Sequence, residues 1–250
     1  MREFSRYLRS DFYKLRHSWF FPVHLIFPIC GAALMLLYAK FSNSSDLNKL
    51  AAFSQIIALA YPFAVSVVCQ MSADQEMRAG RAQNMLTLPR RGTAILSKFT
   101  ILVLSGLLAT MLCAILFGCL FSVLTGLRLP AGFFIALPAA LWGSSLMLYG
   151  LHLILAFRFG RNVGISVGAV GSLLSALLQT GLGTGVWYVI PYGLGVRFAE
   201  RTLAELFHLP AEGSSELQIG IGFCICATCV MIGVMMLWCS RYSGTHTDER

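Results

Sequence analysis

Apolar residues along this chain come in long blocks rather than in alternation. Six windows are long and apolar enough to cross a membrane, at about 19–39, 51–71, 99–125, 131–157, 163–186 and 217–239. A helix needs about 20 such residues to cross roughly 30 Å of hydrocarbon. The fifth window differs from the rest in being rich in Gly and Ser rather than Leu. No remaining stretch is long enough to bury a core of its own. Residues 1–250 therefore read as a single all-α integral membrane domain with six transmembrane helices.

Three polar stretches interrupt or precede the blocks. Residues 1–18 are basic, and Phe4, Leu8, Phe12, Leu15 and Trp19 recur at spacings of three or four. That pattern predicts an amphipathic helix lying in the membrane interface before the first span. Residues 72–98 form a polar segment between the second and third windows. Its middle is amphipathic, and Leu88-Pro89-Arg90-Arg91 breaks it before the next span. The third stretch, 187–216, opens with aromatic residues suited to the headgroup belt and continues as a moderately apolar loop. Within it, 192–209 fits either a short re-entrant or surface helix or an ordinary amphipathic loop.

Charge orients the whole. Lys and Arg number fourteen in the N-terminal stretch, the 72–98 segment, the connection holding Arg158 and Arg161, and the C-terminal tail with Arg241 and Arg250. The opposite connections hold five: Lys40, Lys49, Arg128, Arg197 and Arg201. The positive-inside rule then puts both termini and 72–98 in the cytoplasm and 187–216, with Glu200, Glu205, Glu212 and Glu216, outside. The net charge of +8 is mostly this topological bias and calls for no nucleic acid.

Composition agrees with a membrane protein, with 57% hydrophobic residues, 12% charged residues and a mean hydropathy of +0.72. No acidic residue occurs from Met77 to Ala199. An ion-coupled carrier ordinarily keeps a carboxylate near the midplane, so energy is expected to enter through a soluble motor. The phosphate-loop pattern G-x-x-x-x-G-K-[ST] is absent, so that motor is expected on another chain. All eight cysteines fall within or at the ends of spans, where small apolar packing is their ordinary role. Cys224, Cys226 and Cys229 form a C-x-C-x-x-C cluster, but only 226 and 229 share a helix face, and no metal site is assigned. An intramembrane enzyme is the rival class, because Ser144 and His152 resemble the pair of a rhomboid-type protease. Eight residues on one helix, roughly 12 Å along its axis, separate them too far for hydrogen bonding. His24 is the other candidate base. The Gly164-x-x-x-Gly168 spacing is a small-xxx-small pattern that lets helices approach closely.

The order of basic interfacial helix, two spans, a polar E-x-x-x-G segment and four further spans resembles the permease subunit of a type-2 ABC exporter. More narrowly, L-R-S-D-F-Y-K-L-R-H-S at 8–18 and W-Y-V-I-P-Y-G at 187–193 resemble permeases of lantibiotic immunity transporters. The resemblance implies that the 72–98 segment contains a coupling helix seated on a separate ATPase dimer. Asp74, Glu76, Arg78, Gly80, Arg81, Pro89, Arg90 and Arg91 would be its ATPase-coupling residues. Glu76 is expected in the first turn of that helix, with Gly80 one turn later on the same face. Trp187, Tyr188, Tyr192, Glu200 and Glu205 would face an external cationic peptide substrate. It further implies a location in the bacterial cytoplasmic membrane, a second permease subunit (related or identical), and contact with membrane lipid. No cofactor is expected on this chain, with ATP and Mg on the partner. Export of a drug, a lipid or a polysaccharide by the same superfamily stays open.

Overall fold

A computed structural model of the chain describes residues 2–80, 82–88, 90–210, 214–242 and 244. Arg81, Pro89, Glu212 and Arg250 lie outside the described residues. The order is α1 (Arg2–Arg16), α2 (Phe20–Phe41), α3 (Asp46–Arg78), α4 (Gln83–Leu86), α5 (Arg91–Thr125), α6 (Ala131–Gln179), α7 (Pro191–Leu206) and α8 (Ser214–Arg241). Short 3₁₀ turns at Gly181–Gly183 and Trp187–Val189 join α6 to α7. Among the described residues every regular element is helical.

Five of these helices, rather than six, are long and apolar enough to cross a membrane: α2, α3, α5, α6 and α8. The fourth and fifth sequence windows have fused into the 49 residues of α6. A straight helix of that length would run about 74 Å, more than twice the hydrocarbon thickness. It is not straight. Gly160 sits at φ 77°, ψ −170°, outside helical geometry. A Cβ on Gly164 would lie 3.7 Å from the Cα of Ala156, which a straight helix would hold roughly 12 Å away along the axis. The chain therefore doubles back at Gly160 into two antiparallel arms, about 131–159 and 161–179. The second arm ends short of the sequence window, because Thr180 is extended and Gly181–Gly183 makes a 3₁₀ turn.

Glycine sets where the second arm packs. A Cβ on Gly168 would meet the Ser66 Oγ at 2.1 Å, and one on Gly164 the Gln70 Oε1 at 2.9 Å. The small-xxx-small stripe thus faces α3, where only hydrogen atoms fit between the helices. Pro62 interrupts the α3 ladder there, and the adjacent Phe63 N–H donates to the Ser172 Oγ at 3.2 Å.

Contacts at the helix ends define two poles. Near one, Arg161 pairs with Asp74, the Tyr242 hydroxyl donates to the Phe157 carbonyl at 3.1 Å, and Arg91 donates to the Tyr242 carbonyl at 3.1 Å. This pole gathers α1, the end of α3, the starts of α2 and α5, the Gly160 reversal and the end of α8. Toward the other, Phe53 of α3 stacks on Phe117 of α5 with centroids 3.8 Å apart, and Phe133 of α6 joins them.

The 187–209 region is not an irregular loop. Helix α7 buries Leu194, Val196, Ala199 and Leu203. Gly195 faces Ser144 of α6, and Gly132 at the start of α6 faces Leu206. So α7 runs antiparallel to the first arm of α6 and lies embedded beside it.

Candidate functional site

The 72–98 segment does not fold as one amphipathic helix. Its first part is a direct continuation of α3, whose 33 residues extend about 50 Å, well past the hydrocarbon. Gly80 ends that helix with φ 123°, the left-handed conformation that glycine adopts without a Cβ penalty at helix ends. The Ala82 N–H then donates to the Glu76 carbonyl at 3.1 Å, and Ala82 itself stands at φ 61°. A single helical turn, α4, follows before α5 begins at Arg91.

Glu76 consequently stands in the last turn of α3 and not, as expected from sequence, in the first turn of a separate helix. Its side chain is 1% exposed. One carboxylate oxygen accepts from both the Lys14 and the Lys98 ammonium groups, each at 2.8 Å. Lys98 also donates to Asp11 Oδ1 at 2.8 Å, and the Ser97 hydroxyl donates to Asp11 Oδ2 at 2.7 Å. Gln75 adds a side-chain donation to the Lys14 carbonyl. Two carboxylates and two ammoniums thus alternate through a buried junction of α1, α3 and α5. Such a cluster is tolerated only because the charges are mutually paired and hydrogen-bonded.

This junction divides the apolar stripe of α1. Leu15 is buried against the bundle beside Asp11, whereas Phe12 and Trp19 are exposed. One face of α1 therefore grips the protein and the other is free to enter the interface. A cavity of about 370 Å³ remains between α1 and the α3–α5 turn, lined by Arg6, Asp11, Lys14, Glu76, Met85 and Lys98 among others.

The other expected coupling residues separate into two groups. Asp74 is held by Gln70 and by Arg161 from the α6 reversal, and Arg91 is turned toward Tyr242. Arg78, Gly80 and Arg90 are exposed, along with Gln83 and Thr87 between them. Among the described residues, a Cβ on Gly80 would meet nothing within 4 Å. The turn therefore presents backbone and arginine outward while its acidic residues are committed inward.

The residues expected to face an external substrate also divide. Trp187 is buried with Leu194 and Cys224, and its indole N–H donates to Glu216 at 2.8 Å. Tyr192 points into the bundle, its ring against Gly171 and its hydroxyl 3.4 Å from the His152 Nε2. Tyr188 is half-buried. Glu200 and Glu205 are exposed, and lie 3.3 Å from Arg197 and 3.7 Å from Arg201 respectively. Ser144, the candidate nucleophile, donates to the Leu141 carbonyl, and no bond joins it to His152 among the described residues. Cys224 is buried, whereas Cys226 and Cys229 are exposed.

A family model described as ABC-2 family transporter protein matches residues 7–156, more than half of the chain. The chain belongs to the ABC-2 transporter family. Comparison with curated proteins and with solved structures finds no match. ABC-2 permeases are multi-pass transport subunits that generally work with a separate ATPase subunit. The matched span of this ABC-2 permease takes in α1 from Tyr7, the whole charged junction, the α3–α5 turn and most of the first arm of α6.

Proposed function

We propose that the chain is the membrane subunit of an ATP-driven exporter that removes a cationic antimicrobial peptide of the lantibiotic type from the bacterial cell membrane. In this reading both termini and the α3–α5 turn are cytoplasmic, and two permease subunits, identical or related, cross the membrane through six arms each. The α3–α5 turn, through its exposed Arg78, Gly80, Gln83, Thr87 and Arg90, seats on a separate ATPase dimer that carries ATP and Mg. The observation that carries the proposal is the turn itself. It joins the ends of α3 and α5, which buried ion pairs through Glu76 and Lys98 lock to each other and to α1, so force applied to it reaches three helices at once.

Support for the peptide substrate is of a different kind. The stretches at 8–18 and 187–193 resemble lantibiotic immunity permeases, and Glu200 and Glu205 offer exposed carboxylates at the pole opposite the basic one.

The test is assembly and protection together. The chain and its ATPase, produced in a lantibiotic-sensitive bacterium, should co-purify and raise the peptide concentration needed to stop growth. Arg78→Glu with Arg90→Glu should keep the chain in the membrane yet abolish both. Co-purification without protection would reassign the substrate to a drug, a lipid or another amphiphile. Wild-type co-purification and protection in the doubly reversed variant would remove the turn from the docking role.

A further inference from the structure

Between α2, α3 and α5 lies a second cavity of about 290 Å³, floored by Tyr149 of α6. It exists because α2 packs mainly on α5 and leaves α3 at a distance. Its walls carry small residues: Gly31, Ala60, Ala64 and Ala109. At the floor, Gly106 gives way to aromatic hydroxyls, since a Cβ there would lie 1.9 Å from the Tyr149 Oη. Tyr149 and Tyr61 close on each other at 3.4 Å, so these hydroxyls are occupied with one another. The mouth is flanked by Phe27 and Phe63, both exposed. In a multi-pass protein those side chains meet hydrocarbon, and the cavity therefore opens sideways into the bilayer.

One polar atom in this lining has no partner. His24 is 9% exposed, and its Nδ1 lies 2.8 Å from the Phe20 carbonyl, which can only accept. The proton of the neutral ring is thereby assigned to Nδ1, leaving Nε2 a bare acceptor. That Nε2 is buried with no partner among the described residues. His24 is the fifth residue of α2, about 6 Å from the start of the helix, at the headgroup edge of the leaflet on the basic pole.

We infer that this cavity is a binding site for one phospholipid of that leaflet, with an acyl chain between α2 and α3 and a donor-bearing headgroup on His24 Nε2. An apolar cavity stays dry, so water does not fill it. It lies at the lower end of the size of small-molecule sites, which suits a single acyl chain rather than a folded peptide. Ethanolamine and glycerol headgroups carry N–H or O–H donors for Nε2, whereas choline carries none. The site needs neither nucleotide nor ATPase, and it stands whether or not the exported substrate is a peptide.

The full chain, reconstituted in nanodiscs, would be photolysed with phosphatidylethanolamine carrying a diazirine midway along one acyl chain, and adducts mapped by mass spectrometry. Adducts should concentrate on Ile57, Ala64, Ala109 and Cys113. Ala109→Phe, or the milder Ala64→Leu, should reduce these severalfold while adducts on the exposed Ile225 and Leu237 of α8 persist, which also shows the variant is inserted. Native mass spectrometry should show phosphatidylethanolamine retained about three- to tenfold better than phosphatidylcholine, the range of one hydrogen bond. In His24→Phe that preference should vanish. Adducts spread evenly over exposed residues, or unmoved by both filling variants, would overturn the site. So would a Cys30–Cys30 crosslink between two copies with no lipid adduct at the mouth. An undiminished headgroup preference in His24→Phe would overturn the role of that residue.

Discussion

Asp11 and Glu76 converge on the Lys98 ammonium at 2.8 Å each. Replacing Lys98 by Met would leave two carboxylates buried with only Lys14 beside them. Removing one partner of a buried pair costs about 3–5 kcal/mol, so K98M should lower the thermal unfolding midpoint in detergent markedly. Arg90 and Glu3 make a contrasting pair, 3.6 Å apart and largely exposed. Arg90→Ala should cost less than about 1 kcal/mol in the same assay. Neither difference can be read from the sequence. Lys98 looks like one more basic residue at a span end, because its partners are 22 and 87 positions away. Glu76 could be singled out beside Gly80, but the inward direction of its side chain could not. The pattern could show a polar segment, whereas only the fold shows that α1 brings Lys14 back to it. A second residue-level test uses Gly106. Gly106→Ala should destabilise by about 1–3 kcal/mol through collision with the Tyr149 hydroxyl. Tyr149→Phe, which deletes the closest atom, should recover part of that loss.

At the level of elements, hydropathy located the apolar middle of every long helix but not its ends. Helix α3 runs five residues before and seven beyond its window, and α5 starts eight residues early. Hydropathy also missed the place where backbone conformation, not composition, decides. Gly160 is that place. Apolar content alone gives two windows and a gap, and the chain instead reverses sharply at one residue while remaining helical on both sides. The φ, ψ pair at Gly160 belongs to a region essentially reserved for glycine. Gly160→Ala should therefore cost about 1–3 kcal/mol, measurable as a fall in unfolding midpoint, whereas an alanine at the equally apolar but open Gly143 should not. The Gly164 and Gly168 stripe was legible as a packing surface, and α3 is the helix it meets. The 72–98 segment was legible as polar and exceptional. That it splits into the end of α3, a tight turn and the start of α5 follows from Gly80 and Ala82 adopting positive φ, which no periodicity announces.

For the whole molecule, the imbalance of basic residues becomes spatial. Lys14, Arg91, Lys98, Arg158 and Arg161 come to one pole because the helices alternate in direction. In the orientation we propose, a cysteine at Ser44 in a cysteine-free background should react with an impermeant thiol reagent on intact cells. One at Gln83, which is equally exposed, should not. Labelling at Gln83 alone would invert the orientation. The purified chain without its partner should hydrolyse no ATP above background in a phosphate-release assay, and turnover by this chain alone would contradict the division of labour.

The buried junction also dictates an order of events during synthesis. Asp11 and Lys14 leave the ribosome long before Glu76 and Lys98 exist, by 62 to 87 residues of chain. Until the second span ends, α1 has no counter-charge to grip and can only rest on the membrane surface; Lys14 then meets Glu76, while Asp11 still waits for the third span. Its final seat is fixed late, by the arrival of Lys98, so the first helix made is among the last to be locked in place. Nascent chains arrested before Lys98 should leave α1 open to protease, and chains arrested after Thr125 should protect it.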